Sequence, residues 1–210
     1  MNAWLARVEM NLRNPVVRGD LSNAKALHQR IMMLVPDGLG ENARQQAGVL
    51  FRIDQEELAV TALVQARIPL DAGRLPDGYG HTLIRDLSPM FTALAKGQGV
   101  KYRIAANASK RQREHDQAAP GRGPIIPLRG AAAEDWWRRR AEDVGLSPLT
   151  VISSAVGAAQ GSGIRHDFTR FDGVAIVTDP ALLATAVLEG IGRGKPYGGG
   201  LLSLAPTRLS

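Results

Sequence analysis

The sequence predicts an α+β protein built from two similar halves, and three features of its 210 residues support this prediction. Stretches in which apolar and polar residues alternate indicate half-buried strands, whereas apolar residues three or four positions apart indicate helices. These stretches follow the order β-α-β-β-α-β once in each half. A polar stretch rich in Pro and Gly, residues 115–124, separates the halves. The order is typical of ferredoxin-like domains, so we expect two in tandem, over residues 1–114 and 125–210.

In the first half, alternation over residues 4–10 predicts the first strand. Apolar residues at helical spacing, among them Leu27, Ile31 and Leu34, predict a helix over residues 23–35, which the following Pro and Gly residues end. The half is completed by strands near residues 49–53, 58–65 and 100–104, and by a second helix with an apolar stripe of Leu83, Leu87, Met90, Phe91 and Leu94.

The second half begins with a short strand, residues 125–128, and a helix that contains Trp136 and Trp137, which we expect to lie in the core. Asp179 followed by Pro180 predicts the start of a further helix, because aspartate is a preferred N-cap residue and proline a preferred first helical residue. The remaining strands are expected near residues 149–156, 168–177 and 201–205.

The composition excludes some classes of protein. With no Cys, the chain has neither disulfides nor thiolate metal sites. No apolar run approaches the roughly 20 residues of a membrane span, and the N-terminus lacks a signal-peptide core, so we expect a cytoplasmic protein. A net charge of +6 and a pI of 10.2 fit a nucleic-acid-binding protein and an ordinary basic surface equally well. The clustering of basic residues at predicted strand ends and in loops favours nucleic acid.

The stretch GIGRGKPYGGGLLSLAP, residues 190–206, is crowded with glycine and carries Arg193 and Lys195. It is not a P-loop, because Pro196 stands where Ser or Thr would bind magnesium and the required upstream glycine is missing. The dinucleotide fingerprint fails as well, since Tyr197 stands where its third glycine is required. We therefore expect no nucleotide cofactor. Two interpretations stay open: a backbone platform for a nucleic acid, or a structural turn.

The same stretch closely resembles the C-terminal glycine-rich signature of the CRISPR-associated RAMP proteins, and within that superfamily it is most like the CasE subunit of the type I-E Cascade complex. LHQR, residues 27–30, resembles the Leu-His motif of that family. KYRIAANASKR, residues 101–111, resembles its basic strand, and PLRGAAAEDWW, residues 127–137, the start of its second-domain helix. These stretches span nearly the whole chain.

The resemblance implies two ferredoxin-like domains and a metal-independent endoribonuclease. Such enzymes cut the repeats of a CRISPR transcript at the base of a hairpin, by attack of the 2′-hydroxyl, and leave a 2′,3′-cyclic phosphate and a 5′-hydroxyl. The protein stays on the mature hairpin, so its expected partners are the CRISPR repeat RNA and other Cascade subunits, with no membrane, nucleotide or metal. The alternative is a non-catalytic RNA-binding subunit of the same superfamily.

His28 is the proton-transfer group that the resemblance implies, and an imidazole with a pKa near 6.5 suits this role at neutral pH. By its position alone, at the edge of an apolar helical stripe, a structural histidine is the better interpretation, and the family motif reverses that preference. Lys25, three residues earlier on the same helical face, stands where relatives can carry a tyrosine. It either stabilises charge in the transition state, lowers the pKa of His28, or is a solvated lysine that contacts RNA.

Binding of the hairpin is expected to depend on shape and charge, because the deep, narrow major groove of A-form RNA hides base edges from side chains. For each basic residue, a solvated surface charge is the alternative. The expected RNA-binding residues are Arg103, Lys110, Arg111, Arg129, Arg165, His166, Arg193, Lys195, Gly198 and Gly199. The run Arg138–Arg140 is expected to be a solvated helix face instead.

Overall fold

The computed structural model describes residues 1–111, 124–156, 159–161 and 164–208, and for residues 159–161 and 164–166 only the main chain. Each half contains an antiparallel sheet with helices packed against it, which confirms the predicted α+β class. Of the predicted linker, only Pro124 falls within the described residues. Every helix in this part of the chain is too short or too polar to span a lipid bilayer.

The first sheet has four strands in the order β2-β3-β1-β4, so its first and third strands are central, as in a βαββαβ unit. Its core joins Val8, Phe51 and Val64 of the strands to Val17 and Ile31 of the helices. The strands are β1 (Trp4–Met10), β2 (Leu50–Gln55), β3 (Val60–Ala66) and β4 (Gly80–Asp86), and the helices are α1 (Pro15–Ser22), α2 (Ala24–Met32) and the short α3 (Ala43–Gln46). Helix α4 (Ser88–Ala93) follows β4, and its Met90 and Phe91 pack against the core of the second half.

The second sheet repeats the same arrangement, with the order β13-β5-β12-β8 and with β9 also paired to β12. Trp137 is fully buried and stacks on Phe171 with ring centroids 5.7 Å apart, as expected of a core residue. The elements are β5 (Gly99–Ala106), β6 (Ser109–Arg111), β7 (Ile125–Pro127), α5 (Ala131–Asp143), β8 (Leu146–Pro148), β9 (Ile152–Ala155), β10 (Ala159–Gly161), β11 (Ile164–His166), β12 (Thr169–Val177), α6 (Pro180–Glu189) and β13 (Ser203–Pro206). Strands β6 and β7 form a separate ladder, and so do β10 and β11.

The second helix predicted for the first half is wrong in its first part and confirmed in its second. Residues 80–86 form strand β4, which pairs with β1 from Trp4 to Met10, and only Ser88–Ala93 are helical. Leu83 is 45% exposed on this strand, so its helical spacing from Leu87 does not reflect a shared buried face. The long-range pairing with β1 therefore overrides the local pattern.

Strand β5, expected to complete the first sheet, lies between β12 and β13 in the second. The edge beside β1 is already occupied by β4, and β5 instead pairs along its whole length with β12. It is thus the first strand of the second βαββαβ unit, which continues through α5, β8, β12 and α6 to β13. On this basis we propose that the two domains divide within residues 87–98, ahead of the linker predicted at 115–124.

Arg52 of β2 joins the two halves. Its buried side chain forms a bidentate ion pair with Asp54, with distances of 2.8 and 3.0 Å. From the same guanidinium, Nη1 donates to the carbonyls of Arg103 and Leu201 and to the hydroxyl of Ser203, all in the second half. One side chain of the first sheet therefore satisfies main-chain acceptors of the second.

Gln65 provides a second connection. This residue of β3 is 2% exposed, and its Nε2 donates to the carbonyl of Val187 in α6 over 2.7 Å. An unpaired amide would be costly to bury, so the bond favours the close approach of α6 to the first sheet. Helix α6 begins as predicted, with the carboxylate of Asp179 accepting from the main-chain N–H of Ala181 and Leu182. The loop that follows α6 is thereby held against the first half.

Candidate nucleic-acid interface

Helix α2 carries His28 and Lys25. It begins at the N-cap Asn23, whose side chain accepts hydrogen bonds from the main-chain N–H of Lys25 and Ala26. Leu27 is buried in the core, which places the neighbouring His28 at the edge of the buried stripe and half-buried, whereas Lys25 is exposed. In the Leu-His motif, Leu27 thus fixes the helix to the core and His28 lies at the surface of the first half.

A buried ion pair fixes α2 on its other side. Nε of Arg30 lies 2.8 Å from Asp20 of α1, and the hydroxyl of Tyr79 donates to the same carboxylate oxygen over 3.0 Å. Burial, reinforced by the charge of Asp20, raises the pKa of Tyr79, so the phenol keeps the proton that it donates. Because Arg30 is two residues from His28, this pairing fixes the segment of α2 that carries the imidazole.

The Gly-rich loop, residues 190–202, packs against α2 and β2 through its 3₁₀ turn Lys195–Tyr197. Its main chain is closed by hydrogen bonds from Ile191 N–H to the carbonyl of Gly200 (2.9 Å) and from Gly200 N–H to the carbonyl of Ala105 (2.7 Å). The loop is therefore an ordered element that brings residues from the end of the chain to the helix that carries His28.

Gly198 and Gly199, expected to bind RNA through their main chain, are buried inside this loop. A Cβ at Gly199 would lie 2.5 Å from the ring of Phe168, and one at Gly198 would lie 3.3 Å from the ring of Phe51. The N–H of Gly199 already donates to the carbonyl of Gly194. These two glycines allow close packing, and the exposed part of the loop is the preceding segment with Arg193.

His28 has an environment suited to a neutral imidazole. Its Nδ1 is buried and has no hydrogen-bond partner among the described residues. Burial and, to a smaller extent, the positive charge of Arg44 lower the pKa of His28, while the main-chain carbonyl of Pro196 in the Gly-rich loop raises it. The net shift is downward, so the side chain is uncharged and able to accept a proton at neutral pH.

Lys195 lies in the same environment. It is partly buried, and this burial, followed by the charge of Arg44, lowers the pKa of its ammonium group, against the opposing effect of Glu189. Arg44 therefore acts on both His28 and Lys195, and the two cations Arg44 and Lys195 and the neutral imidazole form a cluster where α2, α3 and the Gly-rich loop meet. Phosphate would be attracted to such a cluster because it neutralises like charges held close together.

Arg44 is the cation that the sequence did not single out. It lies on the four-residue helix α3, in a polar stretch without a periodic pattern, and it reaches the site through tertiary packing. Its Nη1 is bonded to the carbonyl of Val49, which restrains the guanidinium. Arg44 takes the part considered for Lys25, since it is the cation that lowers the pKa of His28.

Arg103, expected to bind RNA, is engaged within the protein. It forms an ion pair with Asp172 of the neighbouring strand β12 and lies 3.7 Å from Asp54. Asp172 also pairs with Arg170, and Asp54 pairs with Arg52, so Arg103 shares both of its carboxylate partners with other arginines. These pairs orient the side chain of Arg103 beside the junction made by Arg52, and its contact with RNA stays a prediction.

The remaining predicted residues lie at three places. Lys110, Arg111 and Arg193 line one small cavity. Arg129 is 80% exposed, 3.9 Å from Asp167, at the rim of a separate cavity beside β9. Arg165 and His166 belong to β11, which pairs antiparallel with β10, as expected of a hairpin, and β10 lies against α2.

The residues described hold no group of three or more His, Asp or Glu side chains placed to bind a metal ion. This junction does provide the imidazole of His28 and the cations Arg44 and Lys195. Together they can accept a proton and hold an anion.

Comparison with known proteins agrees with these observations. The family model described as "CRISPR associated protein" matches residues 3–206. The chain is 27% identical to the CRISPR-associated endoribonuclease Cse3 of Thermus thermophilus, over 97% of this chain and all of that protein. The structure of Thermus thermophilus Cse3 bound to an RNA representing a pre-cleavage complex is similar, with a TM-score of 0.80 and 27% identity over 98% of this chain and 100% of that one.

A further match is a chain of a CRISPR RNA-guided surveillance complex in a pre-nicking state. It is 38% identical, with a TM-score of 0.72, over 97% of this chain and 100% of that one. These matches run the full length of both partners, so they include both sheets, α2 and the Gly-rich loop. The resemblance inferred from the sequence is confirmed, and the chain belongs to the family of CRISPR-associated proteins.

Proposed function

We propose that this protein is an endoribonuclease that cleaves CRISPR precursor transcripts at the base of the repeat hairpin and stays bound to the product as a Cascade subunit. The observation that carries the proposal is the contact of His28 with the Gly-rich loop, next to Arg44 and Lys195, in a chain that matches an endoribonuclease over its full length. A cytoplasmic location forms part of the proposal, since the substrate is a transcript.

The reaction uses the nucleophile that RNA supplies. The 2′-oxygen attacks the adjacent phosphorus, a P–O2′ bond forms, and the P–O5′ bond breaks. The 2′-hydroxyl gives up its proton and the departing 5′-oxygen takes one from solvent, which leaves a 2′,3′-cyclic phosphate and a 5′-hydroxyl. Catalysis then requires alignment, proton transfer and charge stabilisation, so no metal is part of the proposed mechanism.

His28 accepts the proton of the 2′-hydroxyl in this proposal. Its lowered pKa keeps it neutral at physiological pH, which is the form that a general base requires. Lys195 and Arg44 stabilise the negative charge that develops on the phosphate oxygens. Lys25, exposed and three residues from His28 on the same helix, is proposed to contact the RNA next to the scissile phosphate.

The test is incubation of the purified protein, in EDTA, with a labelled CRISPR repeat hairpin from its own genome, followed by identification of the product ends. We expect one cut with a 2′,3′-cyclic phosphate. Binding without a cut by the native protein would instead identify the non-catalytic RNA-binding subunit. If the hairpin is neither bound nor cut, the proposed function is wrong.

The variant His28→Ala tests the proposed base directly. We expect cleavage to fall about 10²- to 10⁴-fold, the usual contribution of general acid–base catalysis, with hairpin affinity nearly unchanged. The matched control is His81→Ala, because His81 is exposed on β4. Single-turnover cleavage by the two variants is compared, and equal rates would remove His28 from the mechanism.

A further inference from the structure

A small cavity of about 140 Å³ lies where β6, α5 and the Gly-rich loop meet. Its lining includes four cationic side chains, Lys110, Arg111, Arg140 and Arg193, together with Trp136. They come from three separate parts of the chain, and Arg140 belongs to the run that the sequence predicts to be a solvated helix face. The structure thus brings one arginine of this run to the same place as three predicted RNA-binding residues.

The geometry of α5 explains why Arg140 reaches the cavity and its neighbour Arg139 does not. Ala133, Trp137 and Ala141 form the buried stripe of the helix, at positions four residues apart. Arg140 follows Trp136 by four residues, so the two share the face next to this stripe and reach the cavity together. Arg139 is exposed and is absent from the lining residues described for the cavity.

The lining is rich in cationic side chains. Among the described lining residues there are four cations and no carboxylate. Asp143 lies 3.3 Å from Arg140, but the two side chains are 62% and 54% exposed, and an exposed pair of this kind contributes little. Guanidinium groups donate two parallel hydrogen bonds to phosphate, so a phosphate group suits a cavity with this lining.

The cavity also lies close to the proposed catalytic junction. Gly192 and Arg193 face the cavity, whereas Lys195 lies in the turn that contacts α2. Two residues of chain span about 7 Å at most. One short loop therefore connects the cavity to the environment of His28, and an RNA strand held in the cavity would be held at a fixed distance from the imidazole.

We propose that Arg140 forms, with Lys110, Arg111 and Arg193, a phosphate-binding pocket that grips the backbone of the hairpin stem and sets its position relative to His28. The inference rests on the proposed function, since it names the part of the same RNA that the pocket takes. Arg140 is a positioning residue in this arrangement, and Trp136 forms the apolar wall behind the phosphate.

The experiment compares Arg140→Ala with Arg139→Ala, two neighbouring arginines of one helix. Hairpin affinity is measured from low to physiological salt. We expect Arg140→Ala to weaken binding roughly tenfold and to reduce the slope of log affinity against log salt by about one, the loss of one phosphate contact, while Arg139→Ala changes neither. Thermal melting of both variants shows that each is folded.

A second measurement locates the contact on the RNA. Hairpins with one neutral methylphosphonate at successive stem positions are bound to the native protein and to Arg140→Ala. We expect one position to weaken the native protein and leave the variant unaffected, since the variant lacks the partner of that phosphate. The pocket is ruled out if Arg140→Ala and Arg139→Ala have the same affinity and salt slope, whereas failure of the native protein to bind any hairpin would reject the proposed function itself.

Discussion

At the scale of single residues, the site is determined by which charges lie next to which. His28 and Lys195 are separated by most of the sequence, yet Arg44 acts on both of them. A histidine surrounded by solvent would be partly protonated at neutral pH, whereas burial beside a cation keeps this imidazole neutral. The residue chemistry therefore depends on α3 and the Gly-rich loop as much as on the helix that carries His28.

The pH dependence of His28 follows from these causes. We expect its imidazole to titrate below 6.5 in the free protein, and Arg44→Gln to raise its pKa partway, because burial remains the larger cause. The descending limb of the pH–rate profile on acidification should then move to higher pH. The measurement is a histidine NMR titration together with single-turnover cleavage, with Arg67→Gln as the control that leaves His28 unaffected.

The same shift links His28 to stability. A histidine whose pKa is lower in the folded than in the unfolded state is protonated preferentially in the unfolded chain. The unfolded state therefore binds more protons as the pH falls through 6.5, and the free energy of unfolding decreases there. A pKa at or above 6.5 in the NMR titration would contradict both expectations.

At the scale of elements, the backbone conformation and the close packing of the Gly-rich loop explain why it contains so many glycines. Gly200 has φ +88° and Gly192 has φ +84°, conformations that side chains disfavour, but their surroundings differ. A Cβ at Gly200 would lie 2.8 Å from the main-chain oxygen of Ile191, whereas one at Gly192 would meet nothing within 4 Å. Position 200 requires glycine for its dihedral angle and for space, whereas position 192 requires it for its dihedral angle alone. Substitutions at the two positions therefore separate the cost of the clash from the cost of the backbone conformation.

We expect Gly192→Ala to cost about 1–2 kcal/mol, the strain of a left-handed residue, and Gly200→Ala to cost about 1–3 kcal/mol more, because a main-chain carbonyl must shift. Urea unfolding of the two variants measures the difference. The close packing described for the loop would be incorrect if Gly200→Ala were no less stable than Gly192→Ala.

At the scale of the whole molecule, the two halves are joined by polar groups that are satisfied only across the junction. Arg52 and Asp54 stand two positions apart on a strand, like Arg7 and Glu9 on β1. The first pair is nearly buried and bonded to the second half, and the second pair is about half exposed. Although the spacing is the same, we expect the buried pair to contribute far more to the stability of the fold than the exposed pair.

We expect Arg52→Ala to destabilise the protein by about 3–5 kcal/mol, since it removes the bidentate partner of the Asp54 carboxylate and the donor to two carbonyls of the second half. Arg7→Ala should cost less than about 1 kcal/mol, as is usual for exposed ion pairs. Chemical unfolding of both variants decides the matter, and similar losses would mean that the junction does not depend on Arg52.

Local patterns predicted much of this fold, and the parts that they missed depend on long-range contacts. Alternation and helical spacing located β1, α2 and β12, and Asp179 located the start of α6. The pattern around Leu83 failed because a partly exposed strand can mimic a helical stripe, and the sheet to which β5 belongs depends on which edge is open. Strand pairing of this kind is not encoded in any short window.

The candidate site likewise contains residues that the sequence identified and residues that only the packing of the fold brings to it. His28 and the Gly-rich loop were identified from motifs, and their roles stay predictions, as do those of Arg165 and His166. Arg44 and Arg140 carried no signal in the sequence, because each reaches its position through the packing of α3 or α5. The ion pairs of Arg103 also had no signal in the sequence, because its acidic partners come from other strands, and its RNA contact stays a prediction.

The contact between α2 and the Gly-rich loop also determines when the protein becomes active during its synthesis. A ribosome makes the helix with His28 before the loop with Lys195, and domains generally fold as units with the N-terminal one first, so the first half is able to fold before that loop exists. Until then the nascent chain presents an imidazole without the loop that shields it and without the cations of the second half. The ribosome must therefore complete most of the chain before a transcript can be cut.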